Sequence, residues 1–78
     1  MKLIELAELL AKALVDDPDQ VEVREIEGER SLLMEIRVSK QDLGKIIGRQ
    51  GRNAAAMRTI LGAAGAKLKK RVTVDIIE

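Results

Sequence analysis

The order in which hydrophobic periodicity changes along this chain restricts its fold more than any other feature. Leu3, Ile4, Leu6, Ala7, Leu10, Ala11, Ala13 and Leu14 recur at helical spacing, with Glu5, Glu8 and Lys12 between them, which predicts an amphipathic helix over the first fifteen residues. Asp16-Asp17-Pro18-Asp19 ends it, because the residue before a proline is pushed out of the helical region. VEVREIE and SLLMEIRV then alternate with period two, and Leu32, Met34, Ile36 and Val38 share one face of the second run. Gly28 between them marks a hairpin turn. Ile26 falls out of step with Val21 and Val23, so the first strand is expected to bulge or end early. Ser39 as N-cap and Asp42 in the first turn signal a short helix that stops near Gly48. A second helix starts after Gly51, with Ala56, Met57, Ile60, Leu61 and Ala64 as its buried stripe and Gly65 as its stop. Val72, Val74 and Ile76 alternate with Thr73 and Asp75 in a last strand.

The resulting order is helix, strand, strand, helix, helix, strand. Three strands cannot bury a face against each other, so the expected fold is α+β, a three-stranded sheet with its helices packed on one face. Seventy-eight residues make one domain at most, with a small core. At 46% hydrophobic and 35% charged residues the chain reads as a globular domain, with no apolar run long enough for a membrane span. Glu5 and Glu8 interrupt what would otherwise resemble an export signal, and none is expected.

Absences narrow the chemistry. The chain has no cysteine, no histidine and no aromatic residue. Disulfides and thiolate ligands are therefore excluded, and the commonest general base and metal ligand are missing. The cysteine-free composition fits a reducing compartment, and a cytoplasmic location is the default expectation. With Ser31 and Ser39 the only serines, no nucleophile and base can be paired, so no enzyme, cofactor or small-molecule substrate is expected. Stacking of bases on Phe, Tyr or Trp is equally closed.

Net charge is +1, yet it is unevenly placed. Residues 1–36 hold ten acids against four bases, a balance of −6, whereas residues 37–78 hold ten bases against three acids, a balance of +7. Between Leu43 and Val74 lie eight bases and no acid. Such a half attracts a polyanion.

Within it runs GKIIGRQGRNAAAMRTIL, from Gly44 to Leu61. Its glycines match neither the dinucleotide fingerprint nor the P-loop, and no strand directly precedes them. What remains is Gly48-Arg49-Gln50-Gly51, a G-x-x-G turn between two helices. The tetrapeptide alone is a weak signal, better suited to a plain connection with a solvated basic surface. Its setting adds weight. Glycines let another backbone come close, and the following helix begins with unpaired N–H groups and a partial positive charge, a combination that suits phosphate. Lys45, Arg49 and Arg52 add three cations within about one turn, and no acid on either helix faces this end after Asp42. Gly44 is assigned to helix packing.

GKIIGRQGR, the downstream RTIL and KRVTVDI, in this order of elements, resemble the K homology (KH) domain in its bacterial, type II topology (α-β-β-α-α-β), and more closely the small single-domain KH proteins of the KhpA family. The resemblance covers essentially the whole chain, residues 1–78 as one KH domain with its G-x-x-G loop at 48–51. It implies non-catalytic binding of single-stranded RNA in a groove between the loop-bearing helices and the sheet edge, as an RNA chaperone or post-transcriptional regulator. Carried over, Gly48 and Gly51 permit the backbone approach, Arg49 and Gln50 point at phosphates, and the Gly51 N–H sits at the helix start. Of Ile46 and Ile47, one floors the groove and the other packs in the core. Where many KH domains have a large aliphatic residue three positions after the loop, this chain has Ala54, which implies a shallower floor and weaker base selectivity.

Strand two should form the opposite wall, which makes Arg37 and Val38 candidates for sugar or base-edge contact, against the plainer readings of a solvated charge and a core residue. Lys67 to Arg71 would extend the electrostatic track if it lies on the groove side. The small residues Gly62 to Ala66 would let another helix approach or press on the chain's own sheet. The resemblance implies pairing, with a second copy or with a KH protein of the Jag (KhpB) type. Four to six cation contacts would give a log–log salt slope of about −3 to −4 on a single strand. The alternative is a protein-interaction adaptor whose basic half meets an acidic surface.

Overall fold

The computed structural model describes residues 1–78. Helix α1 (Leu3–Leu14) is followed by a hairpin of strands β1 (Glu22–Glu27) and β2 (Ser31–Arg37), then by helices α2 (Leu43–Ile47) and α3 (Arg52–Lys67) and strand β3 (Arg71–Ile77). Single 3-10 turns lie at Pro18–Gln20, Lys40–Asp42 and Arg49–Gly51. This is the α-β-β-α-α-β order that the periodicities predict. No helix is long and apolar enough to cross a membrane.

The sheet runs β1-β2-β3, with β1 antiparallel and β3 parallel to β2. A parallel neighbour requires a long crossover, and α2 with α3 supplies it. Strand β2 is thus the central strand, and neither of its edges is free to wall a groove. Leu32, Met34, Ile36 and Val38 point to the helices and are at most 4% exposed, joined there by Val74. Leu3, Ala7 and Ala11 of α1, Ile46 of α2, and Met57 and Leu61 of α3 close over them. Without aromatic residues, this core gains its density from close approach. Ala7 and Ala11 are fully buried and hold α1 near the sheet. Truncating the fully buried Leu61 to alanine removes about 2–5 kcal/mol.

Four local expectations are overturned. Strand β1 does not bulge or stop short: Ile26 pairs with Leu33 on the sheet face away from the helices, where it is 50% exposed. Its break in alternation records a change of face. In α3 the buried stripe is Ala54, Met57, Leu61 and Gly65, while Ala56 and Ile60 face outward. Gly65 does not stop the helix. A Cβ there would lie 2.1 Å from Val72 Cγ2, so this glycine lets α3 press on β3. The helix ends two residues past it, with Lys69 left-handed (φ 59°) and the Lys69 and Lys70 N–H groups bonded back to Ala66 and Gly65 carbonyls at 3.0 Å. Ser39 precedes only the Lys40–Asp42 turn and caps nothing with its side chain.

Candidate nucleic-acid interface

Helix α2 ends on a residue that only glycine suits. Gly48 has φ 78° and ψ 169°, a region closed to residues with a Cβ. A Cβ there would also lie 2.7 Å from Asn53 Cγ and 2.9 Å from Asn53 N. Gly51 is left-handed too (φ 71°, ψ 16°), yet an added Cβ would meet nothing within 4 Å. Gly48 is therefore required by its own neighbours, while Gly51 leaves open space above the turn. Gln50 between them is held left-handed at φ 58°, a conformation that costs a side-chain-bearing residue about 1–2 kcal/mol.

The turn closes on itself. The Gly48 N–H donates to the Gly44 carbonyl at 2.9 Å and the Gly51 N–H to the Gly48 carbonyl at 3.0 Å, so the Gly51 donor is already engaged. The N–H groups of Arg49 and Gln50, the first two of the Arg49–Gly51 turn, have no acceptor within that turn. Asn53, which the sequence reading passed over, spans the turn: its Nδ2 donates to the Lys45 carbonyl at 2.9 Å and ties the start of α3 to α2. Gly44 packs against nothing, contrary to its assignment, because a Cβ there would enter open space.

The three cations differ in what they already hold. Arg49 is exposed and has no acceptor within the chain. Arg52 donates from Nη2 to Gln50 Oε1 at 3.1 Å, which arranges both side chains along the turn. Lys45 is paired with the Asp16 carboxylate. That hydrogen bond, and then the carboxylate's charge, raises the lysine pKa above its ordinary value. The stretch from Leu43 to Val74 is thus acid-free along the chain but not in space, since the α1–β1 connection brings Asp16 to α2.

Asp42 makes that connection. It is 2% exposed and accepts from the Asp16 N–H at 3.2 Å, the Asp17 N–H at 2.9 Å and the Ser39 hydroxyl at 3.2 Å. Burial pushes its carboxyl up, but these donors and the Lys45 charge outweigh burial and hold its pKa below the ordinary carboxylate value. Asp42 therefore positions Asp16 and, through it, Lys45. Its solitude between Arg37 and Val74 was the available sequence signal.

The family model described as "KhpA/KhpB, KH domain" matches residues 4–76. The chain belongs to the KhpA/KhpB KH-domain family. It is 56% identical over 73 residues to the RNA-binding protein KhpA of Caldanaerobacter subterraneus subsp. tengcongensis, covering 94% of this chain and 97% of that protein. It is 53% identical over 75 residues to the protein of the same name from Borreliella burgdorferi, covering 96% and 92%, and 54% identical over 74 residues to that of Aquifex aeolicus, covering 95% and 94%. No solved structure matches it.

In this KH domain the two isoleucines before the turn differ in burial. Ile46 is fully buried in the core and Ile47 is 37% exposed beside the turn. Ala54 is buried in the first turn of α3. Val38, expected as a wall contact, is 3% exposed in the core, and its N–H is bonded to the Ile77 carbonyl at 3.0 Å, so neither its side chain nor its N–H is open to a ligand. Arg37 lies at the end of β2, paired in register with Ile77 on the face away from the helices, and donates to the Glu78 carbonyl at 2.9 Å. No cavity borders the turn. The larger apolar cleft, about 510 Å³, lies between Met1, Leu3, Leu32 and Leu68 near the far end of α3. The expected aliphatic groove is, at the turn, an open ledge carrying Ile47.

Lys67 to Arg71 is not contiguous with the turn. Sixteen residue steps along α3 separate Gly51 from Lys67, about 24 Å. Lys70 clamps the hairpin instead, with Nζ 2.9 Å from Glu27 Oε2, 2.7 Å from the Gly28 carbonyl and 3.0 Å from the Glu29 carbonyl.

Proposed function

We propose that this chain binds single-stranded RNA, without catalysis, across the Gly48–Gly51 turn. The observation that carries this reading is a turn closed internally, with the donors of Arg49 and Gln50 unused within it, open space above Gly51 and an unpartnered Arg49 guanidinium. Relatives more than half identical to it, named RNA-binding proteins, support the same ligand. Phosphates would be held by Arg49, by the backbone donors, and by Arg52 and the Gln50 amide from the side. Ile47 would contact sugar or base, and Lys45 would join by exchanging Asp16 for phosphate. Arg37 remains a peripheral charge, and Val38 takes no part. With no aromatic residue and no enclosed groove, the turn holds a backbone and reads few bases.

The outward face of α3, Ile60 at 44% exposure between Ala56 and Ala63, supports pairing with a second copy or with a Jag (KhpB)-type protein. Two turns on one particle would raise RNA affinity by avidity. A cytoplasmic RNA chaperone or post-transcriptional regulator is the role that this low selectivity suits.

The test is the double variant Arg49→Asp/Gln50→Asp. Both residues are exposed, so the fold should stand, and two carboxylates would occupy the place of phosphate. RNA binding should fall by at least tenfold. Retention at wild-type RNA affinity would refute the assignment of the turn.

A further inference from the structure

Seven arginines are present, and four have an acceptor inside the chain: Arg24 on Glu35, Arg37 on the Glu78 carbonyl, Arg52 on Gln50 and Arg58 on the Val74 carbonyl. Three have none. One is Arg49, in the proposed RNA turn. The other two, Arg30 and Arg71, stand together at the opposite pole, where with Ser31 they alone line a polar cleft of about 340 Å³.

Their closeness is built in. The Arg71 N–H donates to the Arg30 carbonyl at 2.9 Å, and Arg71 pairs in register with Ser31. The Ser31 hydroxyl makes no hydrogen bond within the chain and lies on the sheet face away from the helices. The nearby acids are unavailable or turned away: Glu27 is taken by Lys70, and Glu29 reaches neither guanidinium. Two adjacent cations with no counter-charge repel, an arrangement that a shared anion relieves.

We propose that Arg30, Ser31 and Arg71 form a second phosphate site, taking the backbone of the same RNA strand that the Gly48–Gly51 turn grips. The two guanidinium forks suit phosphate oxygens, and the hydroxyl adds a donor. Nucleic acid is favoured over an acidic peptide because the third acceptor-free arginine lies in the RNA turn at the other end of the same helix. Helix α3 alone spans about 24 Å between the two poles, so a strand reaching both covers at least about seven nucleotides at the stacked rise of about 3.4 Å per nucleotide. This site rests on the RNA reading above and extends its footprint beyond the roughly four nucleotides that a KH turn clamps.

The experiment measures affinity against salt for single-stranded RNAs of about four and about twelve nucleotides, with wild type, Arg30→Gln/Arg71→Gln, and Arg30→Lys/Arg71→Lys. Two extra phosphate contacts steepen the wild-type log–log slope on the longer RNA by about 1.4, an additional loss of about sevenfold for a fourfold rise in salt. The glutamine variant should lose that increment and bind the short RNA as wild type does, whereas the lysine variant should keep it. Equal wild-type slopes on the two RNAs, or a glutamine variant indistinguishable from wild type on the longer one, would overturn the second site while leaving the turn standing. Loss of poly-glutamate binding with RNA binding unchanged would reassign the pair to an acidic protein and overturn it as well. Failure of wild type to bind either RNA would sink both readings.

Discussion

The two glycines of the turn should respond to the same substitution in different ways. At Gly48, alanine must occupy φ 78°, ψ 169°, which costs about 1–3 kcal/mol. Its methyl must also displace Asn53, whose backbone nitrogen at 2.9 Å cannot swing aside as a side-chain tip would, adding about 1–3 kcal/mol of overpacking. Reduced freedom of the unfolded chain returns about 0.4–1 kcal/mol, leaving a net loss of about 2–5 kcal/mol. A chain of this length has about 4–12 kcal/mol in total. Gly48→Ala should therefore lower Tm by about 10–30 °C. At Gly51 only the left-handed conformation opposes alanine, about 1–2 kcal/mol before the same offset, so the net loss is about 0.5–1 kcal/mol and Tm falls by about 2–8 °C. The Gly51 methyl nevertheless enters the space where the RNA backbone would approach, and affinity should drop about tenfold in a protein that remains folded. Helix circular dichroism must follow the melting, since no aromatic residue is present to fluoresce. Equal destabilisation by the two variants would refute the clash at Asn53, and unchanged RNA affinity of Gly51→Ala would show that phosphate does not pass over this residue.

Asp16→Asn should release Lys45 and raise RNA affinity a few-fold, steepening the log–log salt slope by about 0.7; titration at several ionic strengths checks both. Asp42 has a folded pKa below its unfolded value of about 3.9, so its carboxylate contributes stability that is complete above that value and is lost as pH falls through the folded pKa. Asp42→Asn should accordingly lower Tm at neutral pH and flatten the acid limb of a Tm–pH curve, and an unchanged limb would contradict the hydrogen-bond arrangement described here. Gly44→Ala should stabilise α2 by about 0.5–1 kcal/mol in urea unfolding, since its Cβ meets nothing.

By itself the sequence determined the order of elements, the α+β class, the buried face of β2 and the place of the Gly48–Gly51 turn. These depend on local periodicity and backbone preference, which neighbouring residues carry. Ile26, out of step and so expected to mark a bulge or an early end of the strand, shows where such reading stops: periodicity reports a change of face but not which face a partner strand covers. Gly44 and Gly65 show the same limit, because glycine looks alike in a sequence whether it opens to solvent, as at Gly44, or lies under Val72, as at Gly65. Only the tertiary structure decided which charges are free. Asp16 reaches Lys45 across 29 positions, and Lys70 reaches Glu27 across 43. A charge pair is set by distance in space, and Arg30, Arg49 and Arg71 became distinct from the other arginines once every side-chain acceptor had a position.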